Sequence, residues 1–191
     1  MKKFLIALFL FLLGLYVAGF FLPSTWRTDR SAVIEADRAL VHSYVADLHT
    51  WPDWTTWSRA VDPDCEWTYF GSAAGEGAGY AWDGPELGEG RMEITSSSLS
   101  GGIEFELSFG EGDEPAYGEI VYADAPDGTR VTWGLWGTMD GSVGRWAGLM
   151  MTGLVGSDLE ESLAGLERVC ETGIGGRLEQ GAKDVLETVL D

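Results

Sequence analysis

Ile103-Glu104-Phe105-Glu106-Leu107-Ser108-Phe109 alternates apolar and polar side chains without a break. Successive side chains of a strand point to opposite faces, so Ile103, Phe105, Leu107 and Phe109 make one apolar face and Glu104, Glu106 and Ser108 a wet one. Shorter runs of the same pattern occur in Cys65–Gly71, Gly79–Asp83, Gly90–Ser96, Tyr117–Ala123 and Thr129–Met139. Turn-forming clusters lie between them, such as Ala73-Ala74-Gly75-Glu76-Gly77, Ser100-Gly101-Gly102 and Pro126-Asp127-Gly128. Connections this short leave no room for crossover helices, so the sheet is predicted to be antiparallel and meandering.

Helical spacing flanks the strands. Before them, Thr28–Glu35 reads as a first strand. Arg38–Leu48 reads as a short amphipathic helix capped by Asp37, with Val41, Tyr44, Val45 and Leu48 on one face. After them, Trp146, Leu149, Met150 and Leu154, then Leu159, Leu163, Leu166 and Val169, predict one long helix or two collinear ones across 143–171. Residues 177–190 read as a peripheral helix or a frayed tail. The sum is an α+β arrangement in which an antiparallel sheet curls around a long C-terminal helix. A deep curl leaves a cavity between the two.

Phe4–Leu22 is an uncharged run of 19 residues, about 28 Å of helix against a hydrocarbon core of roughly 30 Å. It predicts a membrane anchor over 1–22, followed by a domain over 23–172 and a tail over 173–191. Lys2 and Lys3 favour a cytoplasmic N-terminus and an extracytoplasmic, periplasmic domain, although Arg27 and Arg30 pull the other way. A cleaved signal segment ending near Val17-Ala18-Gly19, with a secreted product, is the alternative.

The whole chain has 191 residues, 31 acidic and 12 basic, for a net charge of -19. With Lys2 and Lys3 set aside, 10 basic and 31 acidic residues leave -21 on positions 23–191. Such a surface repels phosphate backbones and anionic headgroups, which excludes nucleic acid as a partner and leaves the apolar segment 4–22 as the route to a membrane. Two cysteines are too few for a disulfide scaffold. Cys65 and Cys170 are read either as two buried thiols or as a bridge closing about 105 residues, worth about 4.7 kcal/mol.

Candidate cavity residues follow from alternation: Tyr80, Trp82, Met92, Phe105, Phe109 and Trp133 on inward strand positions, with Met150 on the helix. Trp51, Trp54 and Trp57 recur every three residues beside Pro52. They form either an aromatic lid over a flat ligand or a plug at one end of the sheet. Arg91 and Arg145 neighbour inward positions, and each is a candidate either to bind a ligand carboxylate or to pair with an acidic side chain. His42 and His49 lack metal-ligand spacing. No nucleophile elbow, P-loop, dinucleotide fingerprint or zinc-protease motif is present, so no metal or cofactor is expected.

Several stretches resemble the SRPBCC superfamily of START-like, pollen-allergen-like helix-grip proteins, in its polyketide cyclase/dehydrase-like group. These are Phe21-Leu22-Pro23-Ser24, Arg30-Ser31-Ala32-Val33-Ile34, Val45-Ala46-Asp47-Leu48 with Trp51-Pro52-Asp53-Trp54 and Trp57, Gly77-Ala78-Gly79-Tyr80-Ala81-Trp82, Gly88-Glu89-Gly90-Arg91-Met92 and Thr129-Arg130-Val131-Thr132-Trp133. The likeness covers about 23–170. It implies the helix-grip fold and a hydrophobic small molecule (lipid-like, quinone-like or polyketide-like) held under the long helix, and it matches Asp47 to a recurrent family aspartate. Three functions are compatible: a membrane-anchored binding protein, a cyclase/dehydrase-like enzyme using the same cavity, and a ligand-free module docking through the 51–57 corner.

Overall fold

The computed structural model describes residues 1–58, 61–110 and 114–190, with side chains as far as Gly173. Helix α1 (Lys2–Gly19) is exposed along its length except at Gly19. It is long and apolar enough to cross a membrane, a test that an N-terminal signal segment also passes. Strand β1 spans Thr25–Ile34. It starts three residues before the expected Thr28, because Thr25, Trp26 and Arg27 find ladder partners in Thr138, Gly137 and Trp136.

Helix α2 (Arg38–Val45) opens as predicted, with the Asp37 carboxylate accepting the Leu40 N–H at 2.8 Å. It ends before the expected Leu48. Asp47 leaves the helical conformation and accepts the His49 N–H at 3.0 Å, starting a separate 3-10 helix over Leu48–Asp53. The carbonyls of Tyr44 and Val45, left open where α2 stops, are taken by the Thr50 hydroxyl at 2.7 Å and the Trp51 indole N–H at 3.0 Å.

Six further strands follow: β2 (Glu66–Gly71), β3 (Ala78–Gly84), β4 (Gly88–Ser98), β5 (Gly102–Phe109), β6 (Ala116–Ala125) and β7 (Gly128–Thr138). The seven strands form one sheet in the order β1-β7-β6-β5-β4-β3-β2, antiparallel throughout. The alternation in β5 survives: Ile103, Phe105 and Leu107 are buried, Glu104 and Glu106 exposed. A register shift between Ile94 and Ser96 adds curvature to β4.

The last helix, α3 (Gly141–Leu190), is single and continuous, without a break at Gly156. Its backbone continues through 177–190. The side chains of 174–190, and with them the amphipathic reading of that segment, lie outside the described residues. Val155, Leu159, Leu163, Leu166 and Cys170 are buried at spacings of three and four, which lays one face of α3 across the sheet. At Gly165 the helix meets the loop after the 3-10 helix so closely that an added Cβ would sit 2.0 Å from the Trp54 carbonyl oxygen.

The core centres on Trp133, which is fully buried. The rings of Trp51, Trp54 and Trp57 surround it at 5.4, 5.5 and 5.8 Å. The aromatic corner is therefore turned inward, and docking a partner through Trp54 has no exposed indole to use. Cys65 and Cys170 are both buried thiols rather than a bridge.

Candidate functional site

Between the inner face of the sheet and α3 lies a cavity of about 270 Å³. Strand alternation supplies most of its wall: Trp67 from β2, Tyr80 and Trp82 from β3, Leu107 and Phe109 from β5, Ala116 from β6 and Leu135 from β7. Trp26, Trp57 and Leu87 complete the sheet side. One stripe of α3 closes it, with Met151, Leu154, Val155 and Asp158 following at helical spacing.

Aromatic rings form a connected floor. Trp67 lies 5.2 Å from Tyr80 and 6.4 Å from Trp82, Tyr80 lies 5.8 Å from Trp82, and Trp82 meets Phe109 edge-on at 5.7 Å. Such tilted and edge-on packing fixes the rings as a rigid surface. Trp82 is held further by its indole N–H donating to the Leu87 carbonyl at 3.3 Å. Leu87 is in turn placed by the buried carboxylate of Asp62, which accepts the N–H groups of Glu86 and Leu87 at 2.9 and 3.0 Å.

Polar chemistry in the wall is sparse. The Trp67 indole nitrogen is buried without an acceptor among the described residues. The Tyr80 phenol is pushed well above its usual range by burial, and secondarily by Tyr69, so it stays protonated. The Asp158 carboxyl is raised above the ordinary carboxylate range, first by burial and then by Glu161. Asp158 and Tyr80 are the titratable groups of the lining. Among the described residues no cluster of His, Cys, Asp and Glu is arranged to hold a metal.

Of the residues singled out by sequence, Trp57, Tyr80, Trp82 and Phe109 line the cavity. Trp54, Met92, Phe105 and Trp133 do not line it but are core, each at most 3% exposed. Met150 points outward at 68% exposure, while its neighbour Met151 faces in; one residue of helical phase separates the two. Arg91 alternates with inward Met92 and so lies on the outer face, where it donates to Glu93 at 2.7 Å and covers the Phe70 ring at 3.8 Å. Arg145 is also away from the cavity and donates to the carbonyls of Phe20 and Leu22 at 2.6 and 3.0 Å. Asp47 caps the 3-10 helix and accepts from the His49 ring at 3.1 Å. His42 bonds the Tyr122 hydroxyl, and burial lowers its pKa.

Sequence reasoning missed Trp26, Trp67, Leu154 and Asp158 as lining. Trp67 carried a usable signal in the alternation of Cys65–Gly71. Asp158 carried one too, in its helical phase with Met151 and Val155.

A curved antiparallel sheet gripping a long helix over an apolar cavity agrees with what the sequence itself matches: residues 25–171 fit the family described as polyketide cyclase / dehydrase and lipid transport. The chain belongs to this family. No curated protein matches it. Solved structures of the same polyketide cyclase-like fold do. A protein of unknown function from Staphylococcus aureus is 10% identical with a TM-score of 0.62, covering 79% of this chain and 96% of its own. The di-domain ARO/CYC StfQ from the steffimycin biosynthetic pathway is 9% identical with a TM-score of 0.61, covering 79% of this chain and 52% of that one. Major latex-like protein 151 from Panax ginseng is 16% identical with a TM-score of 0.56, covering 78% and 99%. At these identities the likeness establishes the helix-grip, SRPBCC-type fold. Family and fold together point to a hydrophobic-ligand or cyclase role.

Proposed function

We propose that this polyketide cyclase / dehydrase-family chain is a membrane-anchored binding protein for a compact hydrophobic or amphipathic molecule, held between the sheet and α3. The observation that carries this is the cavity wall: thirteen of the fourteen lining residues are apolar or aromatic, the exception being Asp158. At about 270 Å³ the cavity falls near the lower end of the ~300–1,000 Å³ common for small-molecule sites. It suits a ring system or the end of a longer lipid rather than a whole diacyl lipid. The unpaired Trp67 N–H favours a ligand with a carbonyl or ether oxygen, because burying that donator unpaired costs about 1–3 kcal/mol.

Retention of α1 is supported by its contacts with α3. The Ser142 hydroxyl donates to the Tyr16 carbonyl and the Trp146 indole N–H to the Leu15 carbonyl at 3.1 Å, contacts that cleavage near Gly19 would remove. The test uses the full chain in mild detergent. Titration with a neutral naphthalene fluorophore is expected to give saturable uptake, one per chain, with quenching of tryptophan emission, and solvent extraction followed by mass spectrometry is expected to release an apolar molecule. Absence of both refutes binding.

A cyclase-like reaction is the second reading, and Asp158 is the observation that favours it. A carboxyl with a raised pKa in an apolar wall is suited to moving a proton at a substrate carbon or oxygen. If this reading holds, Asp158→Asn keeps fluorophore uptake but abolishes turnover of a linear poly-β-ketone thioester. Equal behaviour of the two proteins refutes it.

A further inference from the structure

The start of α3 carries a second apolar surface that the cavity does not use. Val143, Trp146, Met150 and Leu154 follow one another at spacings of three and four and are exposed by 73, 38, 68 and 62%. Leu149, beside them, is exposed by 51%. From Ser142 to Gly156 the one charged residue is Arg145, and its guanidinium is engaged by the carbonyls of Phe20 and Leu22. An apolar helical stripe of this kind, without charge, calls for a partner.

Its position relative to α1 identifies that partner. Trp146 donates to the carbonyl of Leu15 and Ser142 to that of Tyr16. Gly19 is the one buried residue of α1, and an added Cβ there would lie 2.1 Å from the Ser142 hydroxyl oxygen, so the two helices touch at that point. Leu15 precedes the end of α1 at Gly19 by four residues, about 6 Å of helix, and Phe20-Phe21-Leu22 carry the apolar run on through a turn. A side chain bonded to the Leu15 carbonyl of a spanning α1 is therefore inside the apolar layer, while Arg145, bonded at residues 20 and 22, sits at its edge. That edge is the depth at which an arginine is tolerated.

We infer that the first turns of α3, Ser142–Leu154, are embedded beside α1 in the leaflet distal to the N-terminus, and that the cavity opens onto this leaflet. The inference rests on the reading of α1 as a membrane span. Leu154 belongs to both surfaces, as the most exposed residue of the cavity lining and the last of the stripe. Trp26, another lining residue, stands four residues beyond Leu22. The ligand class is accordingly a bilayer-resident amphiphile that enters sideways from the acyl chains without crossing water.

The test labels single cysteines introduced by Met150→Cys, Leu154→Cys, Leu99→Cys and Leu8→Cys with an environment-sensitive fluorophore, in the full chain reconstituted into phosphatidylcholine vesicles. Cys65 and Cys170 are buried and leave the label selective. At positions 150 and 154 the emission is expected to shift to the blue, to be quenched by shallow nitroxide-labelled lipid, and to lose quenching by aqueous iodide. Position 99, on the β4–β5 turn, should remain open to iodide, and position 8 should respond to deep nitroxide. Iodide access at 150 and 154 with position 8 in lipid overturns the inference and leaves the span intact. Iodide access at position 8 overturns the span and the inference with it. Protection at 150 and 154 from both quenchers means that protein covers the stripe, as a second copy or another partner, and overturns the inference equally.

Discussion

Ala116→Phe separates an open cavity from a filled core by the sign of its effect. Ala116 on β6 is paired with Leu107 on β5, and both line the cavity, so a larger side chain at 116 projects into it. An apolar cavity of about 150 Å³ suffices for a benzene ring. A phenyl group placed in the 270 Å³ therefore fits, and it leaves roughly 120 Å³, less than one further ring needs. Burying the ring contributes about 1.5–3 kcal/mol, against about 1 kcal/mol for fixing its rotamer. The expected result is unchanged or higher stability, by up to about 2 kcal/mol, with fluorophore affinity reduced by more than about tenfold. In a solidly packed interior the same substitution costs about 1–3 kcal/mol. The assay is denaturant unfolding of the full chain in detergent beside fluorophore titration. A clear loss of stability with uptake retained refutes the reasoning.

Asp158→Asn tests the raised carboxyl through pH. With its folded pKa above the unfolded value, Asp158 contributes stability that is greatest in acid and is lost as pH rises through the folded pKa. The Asn variant is expected to be the more stable protein at neutral pH, with the difference vanishing below about pH 4; a constant difference across pH in denaturation curves counts against the assignment. Asp62→Ala removes the acceptor for the part-buried Glu86 and Leu87 N–H groups and is expected to cost about 1 kcal/mol, at the low end of the penalty for stranding a donor. Because Leu87 lines the cavity, fluorophore affinity should fall as well, and a stability loss with full affinity separates the turn from the site. Gly165→Ala drives a methyl into the Trp54 carbonyl and is expected to destabilise by about 1–3 kcal/mol; an unchanged unfolding midpoint refutes the close approach.

The strands were legible because each carries its own period. In Ile103–Leu107 the burial of one face and the exposure of the other follow from alternation alone, and the pattern fails at Phe109, which is exposed where the strand ends at the cavity rim. The cavity was legible only in part, since periodicity identifies the inward face and not which inward residues meet α3 and which meet empty space. Tyr80 and Met92 face each other across β3 and β4, yet one lines the cavity and the other is sealed in the core. Helical phase set the limit elsewhere: Met150 and Met151 differ by one step, and only the packing of Leu159 and Leu163 fixes which of them turns inward. Arg145 was least legible. Its partners are backbone carbonyls 123 and 125 positions away, and no local pattern encodes them.

These two surfaces of α3 bear on the acidic domain. A charge of -21 beyond the apolar run pushes the domain away from anionic headgroups and gives no help in approaching lipid. Approach has to come from uncharged surface, and Ser142–Gly156, with its one arginine bonded to the carbonyls of Phe20 and Leu22 just after α1, is such a surface at the root of the domain. The face of α3 carrying Val143, Met150 and Leu154 and the face carrying Met151, Val155 and Asp158 meet at the cavity rim. On the entry route inferred above, a ligand moving from the first face to the second passes Leu154 before it reaches the carboxyl of Asp158. The ring or tail that enters first therefore settles among the tryptophans, and a polar end arrives last, beside the group whose ionisation burial already opposes. Binding of a neutral or hydrogen-bond-donating end is favoured over an anionic one by this order, since an anion beside Asp158 adds repulsion to desolvation. Comparing a fatty alcohol with the fatty acid of equal chain length in the fluorophore displacement assay measures that preference, and tighter binding of the acid at neutral pH contradicts it.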